Sequence, residues 1–173
     1  MTVQILYKNK DNSNNLVLFV DESFNISGLK KYLSSVEFFY ISDLLKNSDL
    51  KKNLLSFHIN SKKTIFLVSI KKNMQTSDME SLGAEFHGYI NSNKKSEYTV
   101  SSDSVNGKFE NFIGHFLHGL KLKSYEFNLY KSKKVTKLIS INVIGKKNKY
   151  TIKNELRFEA IEKGTFFARD LVS

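Results

Sequence analysis

Residues 64–90 read Thr-Ile-Phe-Leu-Val-Ser-Ile-Lys-Lys-Asn-Met-Gln-Thr-Ser-Asp-Met-Glu-Ser-Leu-Gly-Ala-Glu-Phe-His-Gly-Tyr-Ile, and this stretch decides the fold. Its first seven residues are nearly all apolar, which predicts a strand buried on both faces of a sheet. Ser77 and Glu80 stand at the spacing of a capping box, so we expect them to begin a helix. One face of that helix carries Met79, Leu82, Gly83, Phe86 and Ile90. A buried strand followed by an amphipathic helix is typical of a layered α/β domain.

Further strands and helices follow from the same patterns. Apolar runs predict strands at residues 3–7, 16–20, 54–59, 98–100 and 138–144. The first two flank a polar stretch and form either a strand pair or two strands joined by a loop. A helix is predicted over residues 106–122, with an apolar stripe of Phe109, Phe112, Ile113, Phe116, Leu117 and Leu120. Residues 26–45 combine a helix expected around 28–33 with the aromatic run 38–40, and their structure stays open. The sequence therefore predicts a mixed sheet flanked by helices.

The last helix has an unusual distribution of apolar residues. From Leu156 onward apolar side chains cover nearly the whole helical wheel, which predicts a buried helix. Ala160, Gly164 and Ala168 form a row of small residues that permits close approach of another element. The chain reaches Ser173 without a glycine cap or a polar tail. We therefore expect this sequence to be the N-terminal part of a larger protein.

Composition excludes several classes of protein. The 173 residues contain no Cys, which removes disulfides, thiolate metal sites and cysteine nucleophiles. Apolar runs stay far below the roughly 18 residues of a membrane span. The first residues also lack the basic start and apolar core of a signal peptide. We expect a soluble, cytoplasmic chain without a membrane partner.

The net charge of +10 has two explanations. Two of the 27 basic residues are arginines, Arg157 and Arg169, and the other 25 are lysines spread along the chain. An evenly solvated lysine surface explains this distribution. A nucleic-acid-binding module is the alternative, although arginine is the preferred donor for reading bases. The scarcity of arginine favours the first explanation.

Candidate catalytic and ligand-binding side chains are few. His115 and His118 stand three apart, a spacing that could place two imidazoles beside one metal ion. The helical wheel instead puts both opposite the apolar stripe, toward solvent, with no acidic residue one turn away. His58 and His87 are expected to be structural. The eight glycines include no Gly-x-Gly, so the phosphate-binding fingerprints are absent. We predict no catalytic, cofactor-binding or metal-binding residue in this chain.

Two segments resemble the leucyl (cytosol) aminopeptidase family. Residues 111–134 read Asn-Phe-Ile-Gly-His-Phe-Leu-His-Gly-Leu-Lys-Leu-Lys-Ser-Tyr-Glu-Phe-Asn-Leu-Tyr-Lys-Ser-Lys-Lys. This is similar to the family's helix with a glycine near its end and the Tyr-x-Phe-x-x-Tyr-Lys stretch that follows, here from Tyr125 to Lys131. Residues 159–173, and above all Ala-Arg-Asp-Leu-Val at 168–172, resemble the family's interdomain helix.

The resemblance implies a macro-domain-like N-terminal α/β domain over residues 1–148. Residues 149–173 would be the interdomain helix leading to a catalytic domain absent from this sequence. The parent enzyme would remove N-terminal residues from peptides with two divalent metal ions, Zn or Mn, and assemble as a homohexamer. The family's metal ligands and its Asn-Thr-Asp-Ala-Glu-Gly-Arg stretch lie in the absent part. We therefore expect this chain alone to lack peptidase activity. Because the phosphate-loop glycines are missing, we also expect it not to bind ADP-ribose.

Overall fold

Six strands form one mixed sheet in the computed structural model, which describes residues 2–10, 14–125 and 137–172. The strands are β1 (Thr2–Tyr7), β2 (Asn15–Asp21), β3 (Leu54–His58), β4 (Thr64–Ile70), β5 (Glu97–Ser101) and β6 (Leu138–Ile144). Their order is β1-β6-β5-β2-β4-β3. All neighbouring pairs are parallel except β3 and β4, which are antiparallel.

Helices cover both faces of the sheet. They are α1 (Ser35–Leu45), α2 (Thr76–Asn91), α3 (Phe112–Lys123), α4 (Lys149–Lys153) and α5 (Glu155–Val172), with single 3-10 turns at Ser27–Leu29, Ser102–Ser104 and Lys146–Asn148. One core lies between the sheet and helices α2 and α3, and a second lies on the α1 side. The predicted layered α/β architecture is confirmed. No helix of the described ranges is both long and apolar enough to cross a membrane.

The strand predictions are confirmed, and one open alternative is resolved. Every residue of β4 is buried, as its apolar run predicted. β1 and β2 are not neighbours, because β6 and β5 lie between them. Since these strands run in the same direction, they cannot be joined as a hairpin. They are therefore two separate strands and not a strand pair.

The start of α2 differs from the prediction. The helix begins at Thr76, and the Asp78 carboxylate accepts a hydrogen bond of 2.8 Å from the backbone N–H of Gln75. The predicted capping box of Ser77 and Glu80 is wrong, because both residues lie inside the helix and the first turn is closed two residues earlier. The predicted face is confirmed, since its five members from Met79 to Ile90 are buried.

Helix α3 also starts later than predicted, at Phe112 instead of residue 106. Gly107 and Asn111 both have positive φ angles, of +110° and +50°, and this left-handed backbone interrupts the helical pattern. Phe109 keeps its predicted contact with the core although it precedes the helix. Phe109, a loop residue, thus lies at the spacing that extends the apolar stripe of α3.

Helices α2 and α3 cross at two glycines. A Cβ atom on Gly83 would lie 1.8 Å from the carbonyl oxygen of Phe116, and one on Gly119 would lie 1.9 Å from that of Glu80. Each helix thus presses a glycine against the backbone of the other. A side chain at either position would drive the helices apart.

Residues 26–45 form a short turn followed by a helix. The predicted helix around 28–33 is reduced to the single 3-10 turn Ser27–Leu29. Helix α1 then starts with a capping box, in which Ser34 N–H donates to Glu37 Oε2 at 2.9 Å and Glu37 N–H donates to Ser34 Oγ at 3.2 Å. The aromatic run 38–40 therefore lies on a helix.

Candidate functional site

Helix α5 turns its apolar side away from the rest of the chain. Leu156, Phe167 and Leu171 are 80%, 65% and 70% exposed. A Cβ on Gly164 would meet nothing within 4 Å, so the row of small residues also faces open space. The prediction of a buried α5 is wrong for the chain described here. We call Leu156, Ala160, Gly164, Phe167 and Leu171 the outer stripe of α5.

The opposite side of α5 is polar and aromatic, and it packs on α3. Glu162 is only 5% exposed there. Its Oε1 lies 2.9 Å from His118 Nδ1, and its Oε2 lies 3.1 Å from Lys121 Nζ. The ring of Phe158 lies 5.2 Å from that of His115 and 5.0 Å from that of His118. Both carboxylate oxygens of Glu162 therefore have a cationic or donor partner, as a buried charge requires.

A cleft of about 180 Å³ opens beside this network, between β1, α3, α4 and α5. Tyr7, His118, Lys121, Glu155 and Glu162 line it together with apolar and small residues. Burial raises the pKa of the Tyr7 phenol well above its usual value, and the charges of Glu155 and Glu162 raise it further. The phenol thus stays protonated at neutral pH and can donate a hydrogen bond into the cleft.

The structure moves His118 from the predicted solvent side to the interior. It is 5% exposed, because α5 covers that side of α3. His115 is half-buried, and its Nδ1 lies 3.2 Å from Glu80 Oε1. Each imidazole therefore has its own carboxylate, and in neither case did the acid lie on the same helix. Glu162 is 44 residues further along the chain than His118, a separation that a helical wheel cannot reveal.

Metal binding finds no support in these side chains. Within residues 2–10, 14–125 and 137–172, no three His, Asp or Glu side chains come together as ligands for one ion. His118 Nδ1 is engaged by Glu162 Oε1, a contact that holds α5 on α3. His87, expected to be structural, is buried in α2, and His58 lies exposed at the end of β3. The geometry is that of an attachment site for α5.

A second candidate position is the crevice where β2 and β5 diverge. Open α/β sheets bind ligands at such a point, beyond the carboxyl ends of the strands. Here the strands pair at only two positions, and the Ser104 hydroxyl then fills the gap. Its Oγ accepts from Phe19 N–H at 3.0 Å and donates to the Ser101 carbonyl at 2.7 Å.

The neighbouring backbone amides are also occupied. Asp103 Oδ1 accepts hydrogen bonds from the N–H groups of Lys146 and Lys147, at 2.9 and 3.1 Å. A carboxylate of the chain itself thus takes the place where these amides could hold a phosphate oxygen. Lys146, Lys147 and Lys149 line an adjacent cavity of about 270 Å³.

The Tyr-x-Phe-x-x-Tyr-Lys stretch of the predicted resemblance lies outside the described residues, apart from Tyr125. That residue anchors the far end of α5. Its hydroxyl lies 2.6 Å from Asp170 Oδ1, and the guanidinium of Arg169 lies 5.4 Å from the centre of its ring. Two residues of the segment 168–172 therefore hold α5 to the end of α3.

Solved structures share this fold. A tomato leucine aminopeptidase mutant matches with a TM-score of 0.69 and 16% identity over 94% of this chain and 36% of its own. A cytosol aminopeptidase from Coxiella burnetii gives 0.61 and 13%, over 98% of this chain and 33% of its own. The macrodomain of Thermus aquaticus DarG gives 0.55 and 8%, over 84% of this chain and 100% of its own.

The predicted resemblance in fold, macro-domain-like and shared with aminopeptidases, is confirmed. The chain spans about a third of the length of the aminopeptidases that it matches. No family model and no curated protein matches its sequence.

Proposed function

We propose that this chain, which has a fold found within leucine aminopeptidases, is the non-catalytic N-terminal domain of such an enzyme. The observation that carries the proposal is the coverage: 94% of this chain matches 36% of the tomato enzyme. The parent enzyme would release N-terminal amino acids from peptides in the cytoplasm, as a homohexamer. Residues 1–148 would form the domain body and residues 149–173 the interdomain helix.

The outer stripe of α5 supports this role. Fully burying an exposed Leu or Phe contributes roughly 1.5–3 kcal/mol. Leu156, Phe167 and Leu171 therefore offer a contact surface that a neighbouring domain would stabilise by covering it. Glu162 supports the arrangement from the other side, because its bonds to His118 and Lys121 keep the stripe outward. The chain's function would thus be to present α5 to the catalytic domain.

The two divalent metal ions of the proposed parent, Zn or Mn, would be bound outside this chain. The described residues do not fit such a centre, since no three of their His, Asp or Glu side chains are gathered as ligands, and His115 and His118 each contact a single carboxylate. No step of the hydrolysis is therefore assigned to them. In the parent, the metal ions would supply polarisation of the scissile carbonyl and activation of a water molecule.

An activity measurement tests the non-catalytic role. The purified chain is incubated with leucine p-nitroanilide in the presence of Zn²⁺ or Mn²⁺. We expect no metal-dependent release of p-nitroaniline above the buffer rate. Metal-dependent turnover by the pure chain would contradict the proposal.

The coding sequence beyond Ser173 tests the parent enzyme. We expect it to continue and to include an Asn-Thr-Asp-Ala-Glu-Gly-Arg stretch. A stop codon directly after Ser173 would contradict the aminopeptidase assignment. If the longer protein exists, Phe167→Glu in it should weaken the contact between its domains and lower its melting temperature. Lys153→Glu, at an exposed position on α4, is the matched control and should leave both unchanged.

The net charge of +10 favours a second candidate, a nucleic-acid-binding module. Duplex DNA is titrated at two salt concentrations. Phosphate-driven binding should weaken with a log–log slope of about −0.9 per neutralised phosphate. Absence of binding at low salt would remove this candidate and leave the lysines as a solvated surface.

A further inference from the structure

Three side chains far from α5 form a hydrogen-bonded line at the amino end of β4. Thr64, the first residue of β4, is fully buried. Its Oγ1 is contacted by Lys95 Nζ and lies 3.0 Å from His58 Nδ1. His58 is the last residue of β3 and is exposed to solvent, whereas Lys95 precedes β5 and is half-buried. These residues come from three separate segments: the end of β3, the start of β4 and the residues before β5.

The line can carry a proton in either direction. When Lys95 is an ammonium, it donates to Thr64 Oγ1, and the hydroxyl donates in turn to the neutral imidazole of His58. When the imidazole holds the proton, His58 Nδ1–H donates to Oγ1, and the hydroxyl donates to the neutral amine. One excess proton is shared, and no heavy atom has to move. Because His58 is exposed, it can exchange that proton with water.

The surroundings of the Lys95 amine make its ammonium form less favourable than it is in water. Burial lowers the pKa of Lys95. Among the described residues, no carboxylate oxygen forms an ion pair with Lys95 within 4 Å. Glu97 lies two residues along, but its Oε1 lies 2.7 Å from Asn142 Nδ2 and 3.9 Å from Lys8 Nζ. Lys63, next to Thr64, is paired with Glu37 at 2.6 Å.

We propose that Lys95 is an acylation site, at which the amine reacts with small activated acyl groups such as acyl phosphates and thioesters. The neutral Nζ attacks the acyl carbonyl carbon and forms a C–N bond. The bond to the phosphate or thiolate breaks, and the leaving group departs with its electron pair. The proton lost by the nitrogen passes through Thr64 Oγ1 to His58 and then to water. The product is a neutral amide, so the modification also removes one positive charge.

Lys94 provides a matched control, because it is the adjacent residue and is exposed. The purified chain is treated with acetyl phosphate at pH 7.5, and the initial acetylation rate of each lysine is measured by mass spectrometry. We expect Lys95 to react at least about fivefold faster than Lys94. We also expect its rate to rise at a lower pH than that of Lys94. Equal or slower reaction of Lys95 would overturn the proposal.

The variant His58→Gln tests whether the reactivity of Lys95 depends on proton transfer or only on the exposure of its amine. In His58→Gln the side chain can still accept a hydrogen bond from Thr64, but it cannot take up a proton. We expect the Lys95 rate to fall toward that of Lys94, while the Lys94 rate stays the same. His58 is exposed, so circular dichroism should show an unchanged fold. An unchanged ratio of the two rates in this variant would also overturn the proposal.

Discussion

The imidazole of His118 on α3 and the carboxylate of Glu162 on α5 lie 2.9 Å apart, and their side chains are 5% and 6% exposed. Together with the contact between Tyr125 and Asp170, this pair holds the polar side of α5 against the domain. A helix that docked by its most apolar side would bury Leu156 and Phe167, yet both are exposed. Within this chain α5 therefore packs by its polar side, and its outer stripe stays exposed.

Removing this carboxylate should loosen α5. Glu162→Ala leaves His118 and Lys121 without their shared partner, and breaking a buried pair costs about 3 kcal/mol of unfolding free energy. Urea denaturation measures the loss. The control is Glu159→Ala, one turn earlier, where the carboxylate pairs with the exposed Lys163 on the same helix. Equal destabilisation by the two variants would show that the buried network has no special role.

Adding even one methyl group at the crossing of α2 and α3 should destabilise the fold. Gly83→Ala places a Cβ 1.8 Å from the Phe116 carbonyl oxygen, and we expect a loss of about 3 kcal/mol in unfolding free energy. Gly88→Ala in the same helix meets no atom within 4 Å and should add roughly 1 kcal/mol through helix propensity. Thermal unfolding of both variants gives the comparison. A Gly83→Ala protein as stable as Gly88→Ala would refute the close crossing.

The buried hydroxyl of Tyr98 should be dispensable. Tyr98 is fully buried, and its hydroxyl has no hydrogen-bond partner among the described residues. Tyr98→Phe removes this desolvated group and should raise the unfolding free energy by about 1 kcal/mol. Tyr40→Phe, at a half-exposed hydroxyl, is the control and should be neutral.

The same tyrosine should affect stability in alkali. Burial, with a smaller contribution from Tyr89, raises the pKa of Tyr98 from 10.0 to about 12. The contribution of the protonated phenol to stability is therefore complete below pH 10 and is lost as the pH rises toward 12. The advantage of Tyr98→Phe should widen over this range in urea denaturation. If the difference in unfolding free energy between Tyr98→Phe and the unsubstituted chain stays constant from pH 8 to pH 12, the raised pKa of Tyr98 is contradicted.

The stability of helix α1 should depend on the ionised form of Glu37. Burial raises the pKa of this carboxyl, but hydrogen bonds from Lys63 and the Ser34 backbone outweigh that effect and hold it below its usual value. The stabilisation is thus present above the unfolded-state pKa of 4.5 and is lost as the pH falls through the folded-state value.

Glu37→Gln should therefore cost about 1 kcal/mol at pH 7 and much less at pH 2, by urea denaturation at both values. Asp43→Asn, whose carboxylate meets Lys46 at the surface, is the control and should show little change at either pH. A pH-independent cost for Glu37→Gln would contradict the assigned ion pair.

Strands and buried helix faces could be predicted from the sequence, because they depend on local periodicity. The apolar run of β4 and the apolar face of α2 can each be recognised within a single segment of the sequence. The start of α3 could not be located, because Phe109 lies at helical spacing from Phe112 although it lies in the loop before the helix. The start of α2 was misplaced for a similar reason. Two overlapping capping patterns, Gln75 with Asp78 and Ser77 with Glu80, stand within six residues.

The attachment site of α5 could not be predicted for a different reason. A helical wheel describes one helix, whereas His118 is buried by another one. The wheel of α5 correctly showed a wide apolar side but not that a carboxylate on its other side would dock. Likewise, Lys95, Thr64 and His58 come from three separate segments, and only the order of the strands brings them together.

The paired glycines of α2 and α3 also bear on how far this sequence can diverge. At the crossing, Gly83 and Gly119 touch backbone carbonyl groups of Phe116 and Glu80, and every amino acid supplies such a carbonyl. The close approach at this crossing therefore depends on the two glycines and on main-chain atoms, and not on the identity of the side chains at positions 80 and 116. A geometry fixed by main-chain atoms is compatible with a shared fold at 16% identity.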